Sequence, residues 1–202
     1  MRGDLGAGSG EVYDGDVQDD VCEQAKAVLA FWFGEVPAEK RFVKDEALDR
    51  EIAERFGPMR DAVLASGARD WRGTPDDLLA AIILLDQFSR NIHRGRAEAF
   101  VGDALALDLT REAIEQGWDE RTEREEARAF VYMPLMHAED RDAQRLSIAC
   151  FEQLGNDENL RFARDHAAVI ERFGRFPSRN AALGRRSTPD EAAYLSQPGV
   201  GW

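Results

Sequence analysis

Residues 74–91, TPDDLLAAIILLDQFSRN, constrain the fold of this chain more than any other stretch. Thr74 suits an N-cap, and Pro75 fits the first helical position, where its missing N–H costs nothing. Asp76 and Asp77 suit the positive end of the helix dipole. The middle, LLAAIILL, is apolar nearly all round. A helix with no polar face has to be covered from several sides, so it belongs at the centre of whatever fold forms.

The 3.6-residue period continues through the rest of the chain. Val21, Ala25, Val28, Leu29 and Trp32 recur at helical spacing until Gly34 and Pro37 end the segment. Leu48, Ile52 and Phe56 mark another helix, expected to break at Gly57-Pro58 before a short PMRDAVLAS helix. VGDALALDLTREAIEQG follows the central helix, and Pro134 is expected to kink or end the helix in RTEREEARAFVYMPLM. AEDRDAQRLSIACFEQLG and NDENLRFARDHAAVIERFG each close on a glycine suited to a left-handed C-cap. STPDEAAYL carries a capping box, Thr188 with Glu191, around Pro189. No stretch shows sustained two-residue alternation between hairpin turns. The fold class is therefore all-α, about eight or nine helices whose successive pairs stack into a curved α-α superhelix. Residues 1–18, rich in Gly and Asp, read as a flexible arm, and residues 19–202 as a single helical domain.

Composition narrows the function. A formal charge of −13 leaves no domain-wide basic field to displace counterions from nucleic-acid phosphates. No stretch approaches the roughly 18 apolar residues of a membrane span. Cys22 and Cys150 are far apart and lack CxxC spacing, which argues for a reducing cytoplasm rather than a disulfide framework or a structural zinc site. Cys150 lies in the apolar run LSIACF, where burial is the expected fate. No G-x-G-x-x-G or phosphate-loop pattern occurs, and no cofactor is expected. Lys26, Lys40 and Lys44 are the only lysines, so arginine supplies nearly all the positive charge. That bias offers planar forks for carboxylate or phosphate, but a genome rich in G and C would produce it too.

Three blocks concentrate uncommon polar residues beside apolar helices: DQFSRNIHRGR at 86–96, YMPLMHAEDRDAQ at 132–144 and RFGRFPSRNAALGRR at 172–186. The first and third share the frame Ser-Arg-Asn, three variable residues, Gly-Arg. The third block has no acidic residue and reads as a positive island. Arg90, Arg94, Arg175, Arg179 and Arg185 could supply charge-assisted hydrogen bonds to an anion. Asn91 and Asn180 would add amide contacts, and His93 or His137 could transfer a proton. The same residues also make sense as architecture. Arg90 and His93 complement the C-terminal end of the central helix, and Asp86 with Arg90 forms an i,i+4 pair worth about 0.3–0.5 kcal/mol if exposed. MHAEDRD invites a metal reading through His137, Glu139, Asp140 and Asp142. On a helix His137 and Glu139 point to different faces, so no metal is expected, and helix capping explains the acidity of Asp140.

Four blocks in order, VLAFWFGE, LLDQFSRNIHRG, YMPLMHAED and FGRFPSRNAALGRRSTPDEAAYL, resemble the bacterial family catalogued as domain of unknown function 924. The resemblance spans nearly all of residues 22–196 and implies a helical fold similar to the tetratricopeptide-like superhelices, with no established activity. Arg90, Asn91, Arg179 and Asn180 match that family's pattern. Ser89 stands where the pattern carries proline and Ser178 where it carries histidine, so the serines themselves are not implied to be essential.

Three functional readings follow. One is a helical binding module whose arginine-lined concave face takes an acidic peptide or small anionic ligand. Another is an enzyme for a phosphorylated or carboxylated small molecule, which requires Arg90, Asn91, His93, His137, Arg179 and Asn180 to meet in one partly open site. The last is a purely structural or oligomerising protein, with a broad exposed apolar patch. Oligomeric state is not encoded in any pattern found in the sequence.

Overall fold

The structure is a computed structural model, which describes residues 14–121, 125–198 and 200. All regular elements among them are helical. They are α1 (Asp14–Ala30), which runs into a π-helical turn (Phe31–Glu35); α2 (Glu46–Ser66); α3 (Pro75–Ile82), a π-helical turn (Ile83–Phe88) and α4 (Ser89–Ile92); α5 (Asp103–Glu115); α6 (Glu125–His137); α7 (Arg141–Leu154); α8 (Asp157–Phe173); and α9 (Pro189–Leu195). Short 3₁₀ turns occupy several connections, including Ala97–Phe100 and Pro177–Arg179. Because α3, its π turn and α4 are one continuous helix, eight helical rods result among the described residues. Residues 1–13 of the expected arm lie outside the described residues, and α1 begins at Asp14. None of the described helices is long and apolar enough to cross a membrane.

The continuous helix from Pro75 to Ile92 is central, in contact with α1, α2, α5 and α6. Its apolar middle is sealed: Ile83, Leu84, Leu85 and Phe88 have no exposed surface. Thr74 caps it by accepting from the Asp77 amide at 3.1 Å. α6, α7 and α8 pack in series through short connections, as expected of helical hairpins. Gly155 and Gly174 end α7 and α8 in left-handed conformations, at φ 78° and 69°. The Thr188–Glu191 capping box starts α9, which docks Tyr194 on Phe173.

The break expected at Gly57-Pro58 does not occur, and Pro134 does not end its helix. α2 runs unbroken through Gly57 and Pro58, because Pro58 lies on the exposed face, where water takes the carbonyl that the proline cannot serve. α6 likewise continues past Pro134 to His137, although Pro134 is buried. There the Thr110 hydroxyl donates to the Val131 carbonyl at 2.8 Å, supporting the turn that Pro134 disturbs.

The π turn at Ile83–Phe88 shapes the site that follows. The Ser89 hydroxyl donates to the Leu84 carbonyl, five residues back, at 3.4 Å. Gly102 presses against the same turn, and a Cβ at that position would lie 2.7 Å from the Leu85 carbonyl oxygen. Backbone stands on both sides of this contact, so Gly102→Ala is expected to destabilise by about 1–3 kcal/mol through overpacking. Chemical denaturation measures this directly, and an unchanged midpoint would contradict the close approach.

Candidate functional site

Asp86 sits inside the π turn with no exposed surface. A carboxylate so deep in apolar surroundings needs partners, and it has three. His137, the last residue of α6, places Nδ1 at 2.8 and 3.0 Å from its two oxygens. Arg90 of α4 lies 3.0 Å away, and the Gln87 amide donates at 2.5 Å. Burial by itself raises the Asp86 carboxyl, but Arg90, then His137 and Gln87, outweigh it and hold the group well below the usual carboxylate range. The Asp86–Arg90 i,i+4 pair is therefore internal, with Asp86 as a buried anchor.

Arg90 reaches further. Its two terminal nitrogens donate to both oxygens of Asp103, the first residue of α5, at 3.0 and 3.1 Å. Arg179, from the Pro177–Arg179 turn, donates to the same Asp103 at 2.9 Å and to the His137 carbonyl at 2.8 Å. Its guanidinium is held between the rings of Phe100 and Phe176, 4.7 and 4.6 Å from their centroids. Arg90 and Arg179 thus share one carboxylate. Burial and the neighbouring Arg90 push Arg179 down to about 10, although Asp103, Glu139 and Asp86 pull the other way.

His137 has an orientation suited to proton transfer. Asp86 is ionised and can only accept, so Nδ1 carries the proton and Nε2 is left as the second functional nitrogen. Nε2 makes no hydrogen bond to a described residue, and the side chain keeps 16% of its surface exposed. A buried carboxylate orienting an imidazole whose far nitrogen is open is the arrangement used for general acid–base work. His166 of α8 stands behind it, ring centroids 6.1 Å apart, and accommodates the Phe162 carbonyl at Nδ1.

His166 carries a pH consequence. Burial, with His137 adding to it, pushes its pKa from the ordinary 6.5 down to about 3, and the Phe162 hydrogen bond recovers only part of this. The folded protein therefore binds its proton later than the unfolded chain does. This contribution to stability is complete above pH 6.5 and drains away as pH falls towards 3, by up to about 1.4 kcal/mol per pH unit. Urea unfolding between pH 7.5 and 4.5 is expected to show that loss, and His166→Gln is expected to flatten it. A wild-type midpoint constant over this range would count against a neutral buried His166.

The other expected site residues go elsewhere. Asn91 donates to Asp49 of α2 at 2.8 Å, and Arg94 clamps the same carboxylate with two bonds of 2.8 Å. His93 lies near Arg60, Asp61, Glu98 and Arg96, away from His137, and burial with Arg60 lowers its pKa. Arg175 is paired with Glu191 at 2.7 and 2.9 Å. Asn180 donates to Ser187 and to Glu191. Arg185 grips Glu139 at 2.6 and 2.8 Å and donates to the Asn180 side chain at 2.9 Å. The acid-free third block is thus neutralised by carboxylates from α5, α9 and the connection after α6. Of the nine expected residues, the structure brings Arg90, His137 and Arg179 together, with Arg185 at the edge through Glu139, so the six-residue convergence required above for an enzyme is not met: Asn91, His93 and Asn180 lie with other partners. Asp103 and Phe100 join them without having been anticipated.

The acidic stretch after α6 has divided duties. Glu139 also accepts from the Phe176 amide at 2.8 Å, Asp140 caps α7 by accepting from Ala143 at 2.7 Å, and Asp142 pairs with Arg145. An open groove of about 530 Å³ along α5 and α7 lies apart from the His137 cluster and has Cys150 on its wall. Burial pushes that thiol up to about 11, so it stays protonated near neutrality.

The fold has a counterpart among solved structures. The family model described as "Bacterial protein of unknown function (DUF924)" matches residues 28–199. The chain belongs to the DUF924 family. A solved structure, described as that of a protein of unknown function, ATU0120, from Agrobacterium tumefaciens, is similar with 37% identity and a TM-score of 0.82. The similarity covers 88% of this chain and 99% of the other. No curated protein matches the sequence. Membership in DUF924 therefore supports the all-α fold and carries no activity with it. The DUF924 match includes every member of the His137 cluster, from Asp86 to Arg179.

Proposed function

We propose that this protein acts on a small anionic molecule, with His137 as general acid or base and Arg90 and Arg179 as the anion-binding pair. The observation that carries the reading is the Asp86–His137 contact of 2.8 Å, which fixes the imidazole tautomer on a carboxylate that also pairs with Arg90, in a residue whose carbonyl accepts from Arg179. An extended acidic peptide is the less favoured occupant. Arg94, Arg175 and Arg185, which would line a longer track, are already bound to Asp49, Glu191 and Glu139. A compact anion needs only the pair at the centre, which is itself bound to Asp103, so one carboxylate has to be given up rather than four.

Thermal-shift screening against small carboxylates and phosphate esters tests the proposal. A ligand at one hundred times its dissociation constant stabilises by about 2.7 kcal/mol. Hits are expected to lose this stabilisation in Arg179→Gln and to keep it in His137→Gln. Turnover of a hit is expected to fall about 10²–10⁴-fold in His137→Gln, the usual weight of a positioned acid or base. Hits that bind Arg179→Gln as well as wild type would place the anion elsewhere and defeat the reading.

A further inference from the structure

Resting on that reading, we infer that the ligand group seated between Arg90 and Arg179 is a carboxylate, and that it takes the place of the Asp103 carboxylate, which swings out to admit it. Asp103 already occupies the position as a ligand would. Its two oxygens face the two terminal nitrogens of Arg90 at 3.0 and 3.1 Å, the parallel fork that a planar carboxylate fits, and one of them also takes Arg179 at 2.9 Å. An arginine fork accepts phosphate in the same way, so the choice between the two rests on charge: a monoanionic carboxylate replaces Asp103 one for one, whereas a phosphate dianion would exceed the balance.

Charge bookkeeping points the same way. Arg90 and Arg179 balance Asp86 and Asp103, so a ligand anion added to the intact cluster leaves a surplus negative charge in a half-buried setting. Balance returns if one carboxylate leaves. Asp86 cannot, since it is sealed in the π turn and holds His137. Asp103 can: its side chain keeps 19% of its surface exposed, and it stands at the start of α5, just after the Ala97–Phe100 turn. Neither guanidinium depends on it for position. Arg90 stays tied to the Asp86 carbonyl at 2.7 Å, and Arg179 to the His137 carbonyl and the two phenylalanine rings. The seat is therefore preformed once Asp103 departs.

Isothermal titration of the full chain with acetate and with inorganic phosphate tests this, comparing wild type with Asp103→Asn. Removing the internal competitor is expected to tighten acetate binding about tenfold or more and to favour acetate over phosphate. Asp103→Ala provides the same comparison should the asparagine fold poorly. Titration in buffers of different ionisation enthalpy adds a second readout, with no proton uptake expected on acetate binding. Proton uptake would mean that His137 supplies the balancing charge while Asp103 stays, and would overturn the exchange. So would a larger gain for phosphate, or wild-type binding that the Asp103 variants fail to tighten. If neither anion binds any form and the His137 resonances do not move, the anion site itself falls, which is a separable result.

Discussion

Asp86→Ala is expected to destabilise the protein by about 3–5 kcal/mol, the cost of removing one member of a buried ion-pair cluster and leaving Arg90 and Arg179 to share Asp103 alone. At this chain length that corresponds to a fall in melting temperature of about 6–20 °C. The size follows from what stays behind. Arg90 retains Asp103, but His137 loses the carboxylate that fixes its Nδ1 proton, and a cavity opens in the π turn. Asp86→Asn separates charge from volume, keeping an acceptor near His137 while removing the carboxylate. It is expected to recover part of the stability and little of any His137-dependent activity. Combined with His137→Gln, Asp86→Asn should cost less than the sum of the single changes, because the two share one interaction. A melting temperature for Asp86→Ala within about 2 °C of wild type would show that this charge cluster is not buried, since even one kcal/mol moves it by that much.

Phe88→Ala is expected to have a similar effect, about 3–5 kcal/mol, by another route. The ring has no exposed surface and packs against Phe31, Trp32 and Phe56 at centroid distances of 6.0, 5.3 and 5.1 Å. These rings belong to α2 and to the π turn after α1, so the vacated space cannot be closed by one helix moving alone. Edge-to-face geometry with Phe31 and Trp32 adds to the loss. Denaturant unfolding monitored by tryptophan fluorescence reads this directly, with Trp32 as the local probe. Phe88→Leu is expected to recover much of the difference. If Phe88→Ala unfolds within about 1 kcal/mol of wild type, then the junction is packed more loosely than the ring contacts indicate.

The sequence made the frame of this protein readable where local chemistry decides. Thr74, Gly155, Gly174 and the Thr188–Glu191 box each act through contacts a few residues away, and each sits where that chemistry requires. Pro58 misled because a proline's effect depends on which side of the helix faces water, a property of the packed molecule. Among site residues, Asp86 was the most accessible signal: an acid embedded in LLAAIILLDQF, a run with no exposed face, has to be buried and has to find a cation. Asp103 gave no such signal, since an acid at a helix start is explained by the dipole alone. The two Ser-Arg-Asn frames behave alike only at the arginines, which meet on Asp103, and at Gly95 and Gly184, both left-handed at φ 77° and 64°. Their asparagines part company, one to α2 and the other to α9.

The contact between Asp103 and Arg179 joins residues 76 positions apart, and it has a consequence for the order of events in synthesis. A chain emerging from its N-terminus can bury Asp86 and pair it with Arg90 as soon as the central helix is covered. His137 arrives next, and the second guanidinium only after α8 has folded back. A nascent or prematurely released chain would therefore hold a core around Asp86 and Arg90 before the cluster is complete. The Asp103–Arg179 contact is the last link of that cluster to form, and it reports that the elements before it are in place.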